Sequence, residues 1–308
     1  MESEEPIIKE TDELEGLNKS TIYYYNQKVV DSYNFEEFDI IKEMKGVKNF
    51  CATITSKRRT GKSVLMKDLC SKIKNNYESC YVFSLTSEFQ SDLFDFVPKE
   101  NLFTSFDEAK LEHIWNSQAA LVKKLEARKV KKNDMPHVLI LFDDLISEPS
   151  VRKSQILKRL FVAGRHCAIA QIFITQSFTA IPPVLRQNVD LAVAFYLDSA
   201  VDRESFAKQY LSTKSNRIGI MIFEKVTKMP YQAIVVLNFK TDSNPQKTIR
   251  TYTAQLKVPK FKIGKEIDTH SHTKNTFFTS PQDIAQGEHY KDPFKGLRVY
   301  KDPFAAFT

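Results

Sequence analysis

Eight residues constrain this chain more than any others: Ser56, Lys57, Arg58, Arg59, Thr60, Gly61, Lys62 and Ser63. They stand between an apolar stretch with strand character, 49–55, and a segment with helix character, 62–75. A strand, a short loop closing on Gly-Lys-Ser and a helix start together suit a polyphosphate. Backbone N–H groups wrap the β-phosphate, and the positive end of the helix adds to their pull. Lys62 is expected to reach the β- and γ-phosphates, and the Ser63 hydroxyl to hold Mg²⁺. Gly61 permits close backbone approach, and the three cations before it lie beside phosphate. The usual first glycine of G-x-x-x-x-G-K-[ST] is Ser56 here. A serine completes the turn if its φ is negative and costs stability if the turn needs φ > 0. The competing reading is a chance Gly-Lys-Ser at a helix start.

Further along, strand-like and helix-like segments alternate. Strands are predicted over 80–85, 137–142, 167–175, 190–196 and 233–239, and helices over 106–129 and 150–163. The helix 106–129 carries Leu111, Ile114, Gln118, Leu121, Val122 and Leu125 along one stripe. Alternation of this kind implies an α/β fold with a mainly parallel sheet. The run 137–142 is apolar throughout, as befits a central strand covered on both faces. It ends in Asp143-Asp144. A carboxylate pair at a strand tip, some 80 residues after the loop, fits nucleotide hydrolysis. Asp143 is expected in the Mg²⁺ shell, and Asp144 as the base or water-positioner. A plain turn or helix cap is the alternative. Gln176 follows the strand 167–175, where it can sense the γ-phosphate or polarise water, unless it is a solvated loop residue.

The order of these motifs is recognisable: S-K-R-R-T-G-K-S, then V-F-S-L-T, L-I-L-F-D-D-L, A-G-R-H-C-A-I-A-Q-I-F-I-T-Q and P-P-V-L-R-Q-N-V-D. Residues 36–240 resemble the FtsK/HerA superfamily of DNA-pumping ATPases, and within it the genome-packaging ATPases of poxviruses, other large eukaryotic DNA viruses and virophages. The resemblance implies a RecA-like P-loop NTPase fold, ATP and Mg²⁺, and a homo-oligomeric ring, pentamer or hexamer, that moves double-stranded DNA regardless of sequence. It implies packaging of a viral genome into a capsid, in the host cytoplasm or with the virion. It also implies an arginine acting on a neighbouring subunit's nucleotide. The matching position is Arg165, with Arg186 a second interface candidate. Such a cation is worth ~10³ to 10⁵ in rate. Alternatively, Arg165 caps the helix 150–163.

Charge divides the chain. Residues 1–16 are net −6, residues 256–308 net +3, and the whole is +7. The parse is an acidic arm (1–35), an ATPase domain (36–256) and a polar tail (257–308). A basic body suits nucleic acid. Its densest cluster is Lys123, Lys124, Arg128, Lys129, Lys131 and Lys132, which can track phosphates or be a solvated helix end. The tail repeats Tyr290-Lys-Asp-Pro-Phe294 as Tyr300-Lys-Asp-Pro-Phe304, which suggests tandem docking to a capsid or portal component. No apolar run has membrane length, and the acidic start is wrong for a secretory or transit signal. Cys51, Cys70, Cys80 and Cys167 lack metal spacing and read as reduced core thiols. Two other functions remain on this reading, apart from a cellular or plasmid pump of the same superfamily. A small-molecule phosphotransferase predicts an acceptor pocket and indifference to DNA. A non-hydrolysing scaffold predicts that Asp144 is dispensable.

Overall fold

Alternate residues of the run at 138–142 enter two different cores. Val138, Ile140 and Phe142 pack on one side, Leu139 and Leu141 on the other. Side chains of a strand point to opposite faces with period two, so an unbroken apolar run belongs between two layers of helices. The computed structural model describes residues 19–264 except 89, 90, 147, 212 and 214. Among these, β1 (Cys51–Thr55), β2 (Ser79–Ser84), β3 (Leu102–Phe103), β4 (Val138–Asp143), β5 (Ile169–Thr175), β6 (Leu191–Ala194), β7 (Gln232–Leu237) and β8 (Ile249–Thr253) form one sheet. Its order is β3-β2-β4-β5-β1-β6-β7-β8. The first six strands in that order are parallel, and β7 is antiparallel to both β6 and β8. The expected α/β architecture, a mainly parallel sheet flanked by helices, is present.

The helices are α1 (Lys19–Ser32), α2 (Ile40–Glu43), α3 (Lys62–Ile73), α4 (Glu108–Ala127), α5 (Pro149–Lys153), α6 (Gln155–Ala163), α7 (Pro183–Arg186), α8 (Ala200–Tyr210), α9 (Asn216–Val226) and α10 (Pro245–Thr248). The face with α4, α6, α8 and α9 holds one core, and the face with α3 the other. A row of rings crosses the sheet: Phe83 to Phe142 at 5.5 Å, Phe142 to Phe173 at 4.6 Å, and Phe173 to Phe161 of α6 at 4.2 Å. The first two pairs sit directly opposite one another in the strand register, which aligns β2, β4 and β5 at their tips. Gln118, the polar member of the α4 stripe, is buried and donates to the Pro136 carbonyl at 2.7 Å.

Several expectations need correction. The helix expected over 150–163 is two helices, because Ser154 turns its hydroxyl onto the Leu157 N–H at 3.3 Å and caps a new start. Serine competes with the backbone inside a helix and favours such caps. The domain also reaches beyond 36–256 at both ends. Lys225 donates to the carbonyls of Val30 (2.8 Å), Asp31 (3.2 Å) and Tyr33 (2.7 Å), holding α1 by its carbonyl end. Phe261 and Ile263 are buried, and the Ile263 N–H donates to Phe96 at 3.0 Å. The acidic stretch 1–16 and the repeated tail motif lie outside the described residues. Strand β8 escaped notice because Arg250 breaks its apolar pattern. That guanidinium is buried against Glu43 at 2.8 Å. Cys51, Cys70 and Cys80 are buried, Cys167 is half-buried, and all four are free thiols. No helix among the described residues is long and apolar enough to cross a membrane.

His137, just before β4, supplies a test of this packing. Its Nδ1 meets the Met135 carbonyl at 2.7 Å, and burial pushes its pKa down to about 4. The ring is neutral in the fold but takes a proton when unfolded below pH ~6.5. Its contribution is therefore present above that pH and is lost as pH falls towards 4. Wild type should lose on the order of 2 kcal/mol over this window relative to His137→Gln, read from denaturation midpoints.

Candidate active site

Strand β5 lies between β1 and β4, and all three run parallel. Their carboxyl ends therefore meet at one edge, where open α/β sheets place ligands. Register pairs Thr55 with Thr175 and Ile174 with Asp143. The ladder runs one residue further on each side: Ser56 N–H donates to Thr175 at 3.1 Å, and Asp144 N–H to Ile174 at 2.9 Å. Ser56 is fully buried, and the loop's positive φ angles fall on Arg59 (64°) and Gly61 (97°) instead. A serine thus suits the position of the missing first glycine. Gly61 is the N-cap of α3, and no side chain caps it. The first N–H groups of a twelve-residue helix are left facing the loop.

Lys62, Asp144, Gln176 and Arg58 form a chain of contacts across three strand tips. The Lys62 ammonium donates to both carboxylate oxygens of Asp144, at 3.0 and 2.9 Å. The pair is largely withdrawn from solvent, with 11% and 19% of the side chains exposed. Gln176 Nε2 donates to Asp144 Oδ2 at 2.9 Å, and Arg58 Nε donates to Gln176 Oε1 at 3.2 Å. Asp144 adopts φ 55°, a left-handed turn that Asp tolerates better than most residues. This turn brings its carboxylate round to the loop. Lys57 pairs instead with Asp198, at 2.9 Å in an exposed position. Thr60 Oγ1 donates to the Lys57 carbonyl at 2.9 Å and tightens the loop.

Asp143 is the buried member of the pair. Ser84 donates to its Oδ2 at 2.8 Å and Thr86 at 3.2 Å. Burial pushes its carboxyl pKa up; the Ser84 bond opposes this, the charge of Asp144 adds to it, and Lys62 opposes it. Ser84 and Thr86 come from the tip of β2. The V-F-S-L-T segment had signalled them as a motif but not as partners of this carboxylate. Among the described residues no group of three or more His, Cys, Asp or Glu could hold a metal. One carboxylate and one hydroxyl are nonetheless what Mg²⁺ takes from a protein when phosphates and water supply the rest.

Arg165 is not brought to this edge, and Arg186 is turned into the interior of its own subunit. Arg165 is exposed in the turn Gly164–Cys167, ahead of β5. The seven residues of β5 span ~23 Å at ~3.3 Å each, so Arg165 stands at the opposite edge of the sheet. Its carbonyl accepts from Asn49 Nδ2, just before β1. It cannot reach the loop of its own chain. Arg186 is buried, donates to the Ile181 carbonyl at 2.6 Å and lies 4.5 Å from the Phe178 ring centre. Of the basic cluster, Lys123, Lys124, Arg128, Lys129 and Lys131 are exposed, at the end of α4 and before β4. They share the Arg165 edge: the positive charges of Lys132 and Lys123 act on the Cys167 thiol, whose pKa burial nevertheless raises.

Two further residues support the site without having been singled out. Asp202 accepts from Ser177 Oγ at 3.1 Å and from the Thr179 N–H at 2.9 Å, fixing the chain directly after Gln176. Asp198 holds Lys57 as described. Both carboxylates come from the segment after β6, far along the chain, and no local pattern marks them.

The model of the poxvirus A32 protein family matches residues 37–273. Uncharacterized protein 075L of Invertebrate iridescent virus 6 is 27% identical over 140 residues, 44% of this chain. The chain spans about half the length of that curated relative, with 50% of it covered. Among solved structures, the pCW3 conjugation coupling protein TcpA, a monomer form with ATPγS, superposes with a TM-score of 0.50 at 12% identity, covering 67% of this chain and 60% of that one. The genome packaging NTPase B204 of Sulfolobus turreted icosahedral virus 2, in complex with AMPPCP, gives a TM-score of 0.46 at 18% identity, covering 68% of this chain and 99% of that one. The likeness to TcpA is one of fold.

Proposed function

The chain belongs to the poxvirus A32 protein family, and from that premise we propose that it is an ATPase whose turnover drives double-stranded DNA into a viral capsid. The observation that carries the chemistry is the Lys62–Asp144–Gln176 cluster, gathered from three parallel strand tips beside an uncapped helix start. The open N–H groups of α3 and the loop bind the phosphates, and Lys62 neutralises the β/γ region. Mg²⁺, held by the Ser63 hydroxyl and the Asp143 carboxylate, would spread phosphate charge during transfer. Asp143 is a hard oxygen donor steadied by two hydroxyls, which fits that ion. Lys62 cannot serve the triphosphate and clasp Asp144 in the same geometry. Binding draws the ammonium onto phosphate and releases the Asp144 carboxylate. That carboxylate then orients water and accepts its proton, while Gln176 positions the water or the γ-phosphate.

The basic cluster and Arg165 share the other edge, and this supports two separate duties. The cluster would track DNA phosphates without reading bases, and Arg165 would enter a neighbouring subunit's site in a ring. Hydrolysis should accordingly rise when duplex DNA is added. DNA binding should weaken steeply between ~50 and ~200 mM salt and ignore sequence. A filter-binding series and a steady-state ATPase assay check both. Equal ATPase rates with and without duplex would overturn translocation and favour a small-molecule phosphotransferase.

A further inference from the structure

We propose that the cleft beside the phosphate loop seats the nucleotide's base, with Tyr231 as its stacking platform and α1 as its outer wall. The proposal rests on the reading that the loop holds a nucleoside triphosphate. A cavity of about 830 Å³ opens off the loop, and Lys57, Arg59 and Thr60 line its near side. That volume lies within the range of small-molecule sites. The rest of its lining mixes the rings of Tyr23, Phe195, Tyr196 and Tyr231 and the amides of Gln27 and Gln232 with charged side chains of both signs. Cations at the loop suit the phosphates of a nucleotide, and the aromatic faces and hydrogen-bonding amides in the same cavity suit its base.

Tyr231 stands out within this lining. It has φ 63°, in the left-handed region that a bulky residue rarely enters. Strained residues of this kind persist where the surroundings hold them, often at ligand sites. Its ring edge lies 3.3 Å from where a Cβ on Gly61 would stand, so the ring borders the phosphate loop itself. Yet Tyr231 remains 60% exposed, so core packing does not account for it. An aromatic ring fixed against the loop and open to the cavity offers its face to a base. Purines, with the larger ring system, gain more from such stacking than pyrimidines.

The outer wall is built from outside the family match. Tyr23, Gln27 and Asp31 belong to α1, which precedes residue 37, where the match begins. Lys225, itself in the cavity lining, pins the end of α1 by the three carbonyls described above. The outer wall of the base site thus comes from residues that precede the matched region.

The test compares ATP, GTP, CTP and inorganic tripolyphosphate binding to the full chain by calorimetry. Wild type should bind ATP and GTP more tightly than CTP, and all three more tightly than tripolyphosphate. Tyr231→Asn, chosen because Asn tolerates positive φ, should lose about tenfold in ATP affinity and nothing for tripolyphosphate. Tyr231→Phe should retain ATP affinity. Tyr23→Ala, remote from the strained turn, should weaken ATP selectively if Tyr231→Asn does not fold. The proposal is overturned if both variants bind ATP as wild type does, or if they lose ATP and tripolyphosphate equally. A wild type that ignores tripolyphosphate, with ATP binding indifferent to Lys62→Ala, would sink the loop reading as well, and is a separate result.

Discussion

Lys62→Ala is expected to slow ATP hydrolysis by about a thousandfold while leaving the fold intact. Its ammonium is already bonded to the proposed base, at 2.9 Å from Asp144, in a site with little solvent to substitute for it. Removing a preorganised charge from such a setting costs ~10² to 10³ in rate for a single donor. Here the loss falls on phosphate binding as well as on turnover. Single-turnover measurement at saturating ATP separates the two. A variant that hydrolyses within a few-fold of wild type would remove Lys62 from the chemistry and leave its contact with Asp144 as an ordinary ion pair.

Arg165→Ala should be equally damaging, by ~10³ or more, although Arg165 sits at the far edge of the sheet from its own loop. The separation makes the result diagnostic. If Arg165 serves a neighbour, mixing Arg165→Ala with Lys62→Ala subunits restores part of the activity. In some contacts an intact loop then faces an intact arginine. If the residue merely supports the turn before β5, mixing restores nothing and the variant also unfolds more readily. ATPase rate against mixing ratio, with denaturation of each variant alone, distinguishes these outcomes. Arg186 is the useful contrast. It lies inside its own subunit against Phe178 and Ile181, so Arg186→Ala should lower stability and show no gain on mixing.

The strands that frame the site were legible because each is short, apolar and bounded by polar punctuation. The loop, Asp143, Asp144 and Gln176 were legible as strand-end residues, and the structure gathers their strands at one edge. What escaped has physical causes. Strand β8 hides behind Arg250, whose charge is matched by Glu43 some two hundred residues away in sequence. The split at Ser154 depends on one hydroxyl choosing the backbone over solvent. Lys57 is expected beside phosphate, yet it pairs with Asp198, and no local pattern marks Lys225, which anchors α1. Inward and outward arginines look alike in sequence, since only tertiary packing decides between Arg165 and Arg186. The Lys62–Asp144 contact joins residues with no shared periodicity, and nothing short of the fold brings them together.

Strand β5 has Gln176 at one end and the Arg165 turn at the other, and every residue between them is buried. A close-packed rod of this kind transmits displacement instead of absorbing it. If one end senses a phosphate in its own subunit and the other end carries the cation offered to the next, a single stiff element links successive firing events. Chemistry around a ring of such subunits would then advance in strict rotation, each stroke arming the one beside it.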